Sequence, residues 1–428
     1  MRARPARSRW AAGALCAAAL VAAHSTAACN KDDPNKLVGT PAAPCPPEDV
    51  AAGPGSTGSG GAGGSSGSGG DEPQTVLEQR EINYSEALRT ASFKLVGNAP
   101  TLQQMEDMRV AADPKARYEA MIDELLADPR FARRMVEFWK NTMRMGGPAE
   151  GPQPSRDTAP VFAARVTIDG KPYTDLFTAT TNTCPTFDPT SSTFTDGSCP
   201  NGPVGAETAG VLTDPGIHAH YFGNFAFRRN RFIQETFACR KQPAELSAKP
   251  EPMGNGNYTA PWAFDSISGT SNGGRVDFLD ISSAICANCH ATANHRSPLF
   301  AAYDELGVYQ EPIGVGADAE YAVRVPITGE PFAKFSDFLP AGQTTAWKFE
   351  QPAANLVEMG ARMAADDEVH ACAVARVWNF GMSKGDIVND AAYVPTEVIA
   401  DLLTEFKKDF NLRATLRAVF LHTDFVSF

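Results

Sequence analysis

Residues 285–300, ICANCHATANHRSPLF, contain Cys286, Ala287, Asn288, Cys289 and His290, a Cys-x-x-Cys-His. Covalent haem attachment needs two thiols that can reach both vinyl groups and an imidazole immediately after the second, placed to meet the iron; this spacing supplies all three on one helical turn. One haem c held by Cys286 and Cys289, with His290 as proximal ligand, is the chemistry these residues fit best. Other readings stay open. Cys286 and Cys289 could form a disulfide, or half of a zinc site completed by His218 and His220, although i, i+2 histidines before Tyr221-Phe222 read as surface or strand residues. A thioredoxin-type pair needs a βαβ setting, and the surrounding pattern is helical. An electron-carrying haem usually has a second axial ligand. Met359, on one helix face with Met363, is the candidate, and its periodicity also fits a core position; Met382, His295, His218, His220, His370 and His422 are rivals. Pro298 is the candidate for orienting the His290 imidazole through its carbonyl.

Catalytic alternatives are thin. The chain has no His-Glu-x-x-His or Walker loop, and the Gly-x-Ser-x-Gly spacings at 63–67 and 269–273 and the Gly-x-Gly-x-x-Gly spacings at 53–58 and 58–63 fall in Gly/Ser-rich runs without the strand-to-helix pattern such sites need. Asp366-Asp367-Glu368, beside His370, is an acidic helix start that suits the dipole and reads as a solvated face. An electron carrier is therefore expected ahead of a catalyst. The alternatives are a haem enzyme with an open iron site and a non-enzymatic envelope lipoprotein with a Cys286–Cys289 disulfide.

The segments around the motif set its compartment. Arg2, Arg4, Arg7 and Arg9 precede an Ala- and Leu-rich run from Ala11 to Ala23, which reads as a signal peptide over 1–28. Ser25-Thr26-Ala27-Ala28-Cys29 resembles a lipobox, so Cys29 is the expected lipidation site, giving a membrane contact through the lipid. Residues 29–75 are a Pro/Gly/Ser-rich tether. The expected location is an outer-membrane lipoprotein, or the periplasm or cell surface, of a Gram-negative bacterium. The whole chain carries 38 basic and 50 acidic residues; without the four signal arginines the balance is 34 against 50, or −16, a field that disfavours nucleic acid. In an oxidising compartment the remaining cysteines can pair: Cys184 with Cys199 locally, Cys239 with Cys372 at long range, leaving Cys45.

The folded part reads as mainly α. Residues 76–147 form a helical domain: Thr101 and Gln104 make a capping box, and Asp113-Pro114 ends that helix. Tyr118, Met121, Ile122, Leu125 and Leu126 form one apolar face, and Asp128-Pro129 opens a helix with Phe131, Met135, Phe138 and Trp139 buried. Residues 148–215 read as an irregular insertion pinned by Cys184 and Cys199, with a short hairpin around Asp169-Gly170. Residues 216–350 are the Cys-x-x-Cys-His, cytochrome c-like domain, with helices over Phe225–Cys239 and from near Asp277. Residues 351–428 are a C-terminal helical domain. One or two helices span Leu356 to Phe380, Val398, Ile399, Leu402, Leu403 and Phe406 make one apolar face, and Leu412, Leu416, Val419 and Phe420 make another.

The stretch CANCHATANHRSPLFAAYDELGVYQ resembles the haem-motif segment of large planctomycete and myxobacterial exported proteins classed as cytochrome-associated domains of unknown function. GVLTDPG and RRNRFIQETFAC resemble an upstream run of that family, with Arg229, Phe232 and Cys239 at matching positions and Asn230 where the family usually has glycine. Residues 351–428, with Cys372, Val377 and Trp378, are similar to the family's C-terminal domain, and LRTASFKLVGNAPTLQQMEDM with YEAMIDELLADPRFARRMVEFW looks like the helical domain that often precedes it. The resemblance implies export and multidomain architecture. The family's activity is undefined, so the redox partner stays unnamed.

Overall fold

The computed structural model describes residues 79–222, 226–241, 292–300, 302–309, 320–324, 332–334, 338–339, 342–348, 351–388 and 392–428. Cys29, Cys45, Cys286, Cys289, His290, the signal, the tether and the helix expected near Asp277 lie outside them. The fold is mainly helical, and several of its helices begin where short polar side chains cap them. Asn83 accepts from Glu86 N to start α1 (Tyr84–Val96), which Gly97 closes in the left-handed region. The Thr101–Gln104 capping box starts α2 (Leu102–Val110). Asp113-Pro114 proves to be the start of α3 (Pro114–Ala127) rather than the stop of α2, and Asp128-Pro129 opens α4 (Pro129–Met143). All five apolar residues of the α3 face are buried, as are Phe131, Met135 and Trp139 of α4.

The hairpin expected around Asp169-Gly170 is instead the end of a helix, α5 (Thr158–Ile168). Gly170 at φ +63° donates to Thr167 O while Lys171 N donates to Val166 O, a Schellman closure. Asp-Gly suits a tight hairpin and a helix stop alike; the run TAPVFAARVTI, almost wholly buried against α4, decides for the helix. The observed hairpin lies further on, β1 (Thr186–Asp188) paired antiparallel with β2 (Thr193–Thr195), after α6 (Asp175–Thr178). Around these elements residues 148–215 are irregular, and the Cys184–Cys199 disulfide joins them with a Cα separation of 4.9 Å.

Asp214-Pro215 caps α7 (Pro215–His220), so His218 and His220 are helical rather than strand residues. α8 (Phe227–Phe237) follows, and the Cys239–Cys372 disulfide ties its end to a later helix with a Cα separation of 5.4 Å. Beyond residue 292 come β3 (Glu320–Arg324) with β4 (Phe332–Lys334) and β5 (Ala346–Lys348) with β6 (Gln351–Pro352), two short antiparallel pairs. The expected helices within 356–380 are two, α9 (Leu356–Ala364) and α10 (Asp367–Gly381). After a 3-10 turn at Thr396–Ile399 come α11 (Ala400–Phe406), α12 (Leu412–Leu421) and α13 (Thr423–Val426). That turn breaks the 3.6-residue phase, which leaves Val398 42% exposed while Ile399, Leu402 and Phe406 are buried.

Residues from 87 to 166 and from 356 to 426 share one continuous apolar core. Tyr118 Oη donates to Phe420 O (2.7 Å), and Arg413 donates to Leu126 O and Ile168 O. Residues 81–83 and 426–428 are tied as well: Glu81 and Phe428 exchange two backbone hydrogen bonds of 3.0 Å, and Asn83 N donates to Val426 O. Among the described residues, no helix is long and apolar enough to cross a membrane.

Candidate functional site

The segment leaving His290 re-enters the described structure as a helical turn over 292–296 and a 3-10 turn, Ser297–Phe300. From Ala293 to Phe300 every residue is buried, including Asn294, His295, Arg296, Ser297 and Pro298. Burial of so many polar groups demands partners. Arg296 donates to Gln234 Oε1 (2.9 Å) and lies over the Trp347 ring at 4.8 Å. His295 Nδ1 bonds Thr344 O at 2.7 Å.

α8 receives this segment through Arg229, which is 1% exposed. Its guanidinium donates to four carbonyls: His218 O (3.1 and 2.8 Å), Phe300 O (2.7 Å), Tyr303 O (2.9 Å) and Asp304 O (2.9 Å). Burial lowers its pKa to about 9. The planar fork fixes the backbone of α7 and of the segment around residues 300–304 at once. Asn230, the next residue, is fully buried with no hydrogen-bond partner for either amide atom, and Ser297 Oγ has none on the 3-10 turn packed against α8.

The histidines sort by tautomer. A carbonyl only accepts, so the ring nitrogen facing it carries the proton. His218, His220 and His370 use Nε2, toward Leu212 O (2.8 Å), Arg144 O (3.2 Å) and Ala364 O (2.9 Å), and His370 Nδ1 faces Asp367 at 3.7 Å. His422 Nδ1 accepts from Asp424 N. Among the described residues, His295 alone sets Nδ1 against a carbonyl, the arrangement common to metal-bound imidazoles. His218 is fully buried, stacked on Tyr303 at 3.6 Å, and burial holds it well below the usual histidine range; with His220 it does not form a converging ligand pair. Met359 and Met363 are fully buried in the core on α9, which packs against α6 and residues 210–213. Between them a Cβ on Gly360 would stand 2.2 Å from Phe177 O, so only glycine permits this approach. Met382 is partly buried against the same core.

The acidic helix start is not one solvated face. Asp366 is buried and accepts from Trp347 Nε1 (2.7 Å) and Lys348 Nζ (2.5 Å), while Asp367 is 81% exposed. Its indole partner lies outside the local sequence pattern, which is why composition alone read the cluster as solvated.

Two further clusters carry charge or sulfur. In a cleft of about 260 Å³, Glu235 pairs with Arg144 (3.1 Å) and Arg231 (2.7 Å), and Asp386 with Arg144 and Arg376 (both 3.1 Å). Arg376 also donates to Glu235 O and Thr236 O. These bonds join α4, α8 and α10 as a mutually compensated lattice. Elsewhere the ligand atoms of Cys184, Cys199 and Asp214 converge within 4.8 Å, the only such donor group among the described residues. The sulfurs are bonded to each other, so this is a disulfide facing a carboxylate, not a metal set. Asp214 is fully buried, its Oδ1 accepts from Ile217 N (3.0 Å), and burial pushes its pKa up to about 6. The Asp-Pro before α7 could have announced its capping role in the sequence; its meeting with Cys184 could not be read there.

Residues 72–178 match the family model described as PSCyt2, Protein of unknown function (DUF1549). The match runs to the last residue of α6 and includes the helical stretch whose sequence pointed to a family of undefined activity. No curated protein and no solved structure matches the chain.

Proposed function

We propose that this protein is an exported single-haem c-type electron carrier of the cell envelope, anchored by lipid at Cys29, with haem joined to Cys286 and Cys289 and His290 as its proximal ligand. The observation that carries the reading is the Cys-x-x-Cys-His itself, followed from Ala293 by a buried segment clamped at Gln234, Thr344 and the Arg229 carbonyl cage. By residue type the motif supplies two thiols and an imidazole, the donors such a group takes, and Asn230 and Ser297 carry buried polar atoms without hydrogen-bond partners where α8 meets the turn that follows the motif. Two disulfides support an oxidising compartment. When bound, the haem supplies a one-electron couple.

Within this reading Cys286 and Cys289 hold the group, His290 supplies an imidazole nitrogen, and Pro298 orients that ring. Arg229 fixes the backbone that follows. Met359 is taken as the distal ligand, which sets an electron carrier apart from an open-site enzyme. The test is expression of the full chain with a c-type maturation apparatus, followed by a pyridine haemochrome spectrum. Covalent haem in the wild type and none in Cys286→Ala/Cys289→Ala supports the reading; equal, haem-free spectra sink it. Loss of the methionine–iron charge-transfer band in Met359→Leu supports the distal assignment. A spectrum altered by His295→Gln instead moves that role to His295.

A further inference from the structure

We propose that the Cys184–Cys199 disulfide is a redox-active site that exchanges two electrons with a dithiol, and that Asp214 is its proton donor and acceptor. The inference stands apart from the haem reading. Cys199 is half-exposed and Cys184 is buried, so an incoming thiolate meets Cys199 and Cys184 is the leaving sulfur. Asp214 Oδ2 lies 3.4 Å from that leaving sulfur. A disulfide sulfur has no proton to give, so this contact gains a shared proton only when the S–S bond opens or the carboxyl is protonated.

The carboxyl is built into position. Asp214 caps α7 through Ile217 N, and a Cβ on Gly216 would stand 2.1 Å from Ser155 O and 2.9 Å from Asp214 Oδ1, so the backbone closes over it without room to shift. Among the described residues no cation neutralises it; the Thr158 side chain and the Gly216 backbone also bond it. The titratable groups facing this corner are His218 on its own helix, kept neutral by burial, and Tyr303 from residues 302–309, kept protonated by burial; Arg229 of α8 and Glu207 act on the same tyrosine. Burial raises the Asp214 pKa to about 6, which makes its acid form a competent donor to a thiolate of ordinary pKa near ~8.5.

In the reaction a thiolate of the dithiol forms a bond to Cys199 Sγ as the Cys184–Cys199 bond breaks. The electron pair leaves with Cys184, which takes the Asp214 proton. The second thiolate of the dithiol then attacks its own partner sulfur in the mixed disulfide, and Cys199 departs with the other pair and takes a proton from water. The dithiol is oxidised to a disulfide, the cysteines are reduced to two thiols, and solvent reprotonates Asp214. Oxidation is the reverse.

The Cys239–Cys372 disulfide is the internal control, since it too has one half-exposed and one buried cysteine. The oxidised full chain is exposed to dithiothreitol, quenched by alkylation at intervals, and each disulfide is quantified by mass spectrometry. Thiolate concentration cancels in the ratio of the two rates. The expected ratio favours Cys184–Cys199 by about tenfold, below the usual ~10²–10⁴ of general acid–base catalysis because thiolates already leave well. It stays level below pH about 6 and falls above it. Asp214→Asn, which keeps the α7 cap, lowers the ratio to near one and flattens its pH profile. A wild-type ratio near one, or a ratio independent of pH, overturns the proposal; should Asp214→Asn not fold, the wild-type profile decides alone.

Discussion

The two disulfides make similar bonds in different surroundings. Cys239 and Cys372 are 133 residues apart and tie α8 to α10; the polar atoms near their sulfurs are backbone carbonyls, Thr236 O at 3.7 Å and Cys372 O at 3.8 Å. Cys184 and Cys199 are 15 residues apart in an irregular loop, with a buried carboxyl against one sulfur. On the chain-entropy account the long loop contributes about 5 kcal/mol and the short one about 3 kcal/mol. A carbonyl cannot gain or lose a proton in this range, whereas Asp214 can, so the weaker staple is the one equipped for chemistry.

Removing the long-range bond should give the largest effect. Cys239→Ala/Cys372→Ala is expected to lose about 5 kcal/mol against about 3 kcal/mol for Cys184→Ala/Cys199→Ala, measured by urea denaturation; equal losses would mean that both bonds act through local packing instead of loop closure. The carboxyl gives the next effect. Because the folded pKa of Asp214 is raised to about 6 from 3.8, the folded chain holds a proton that the unfolded chain releases between those values. That contribution is fully present below about pH 3.8 and is lost as pH rises through about 6, a swing of about 3 kcal/mol. Asp214→Asn should therefore gain stability relative to wild type by about that amount between pH 4 and pH 7, and parallel stability curves would refute it. The smallest expected change comes from Arg229→Lys. Three ammonium donors cannot serve four carbonyls in a plane, and the loss of about 2 kcal/mol, with faster amide exchange in 302–304, would establish that α8 depends on the guanidinium as well as on its disulfide.

The sequence was most readable where structure is local. The capping box at Thr101, the faces of α3 and α12, and the two cysteine pairs follow from spacing and compartment, and all appear in the fold. Asp169-Gly170 was ambiguous because a left-handed glycine serves a hairpin and a helix stop equally, and only the burial of α5 against α4 chooses between them. Asp366 read as solvated because the indole that buries it comes from β5, 19 residues earlier. Arg229 drew notice only through a family resemblance; that its five bonds reach four carbonyls from three segments is a property of the folded chain. Cys286, Cys289 and His290 stand out by type and spacing alone and lie outside the described residues, while a distal ligand would depend on which side chains meet in space.

The pairing of residues 81–83 with residues 426–428 has a mechanical consequence. Tension entering from the N-terminal side loads the Glu81–Phe428 bond pair, the Asn83–Val426 bond and the Arg80–Asp424 ion pair before it reaches α1. The first event under force is then the peeling of residues 426–428, with α13 beside them. α8 and the 292–309 segment, held by Arg229 and by the Cys239 disulfide, lie behind that yielding edge and are shielded from the pull.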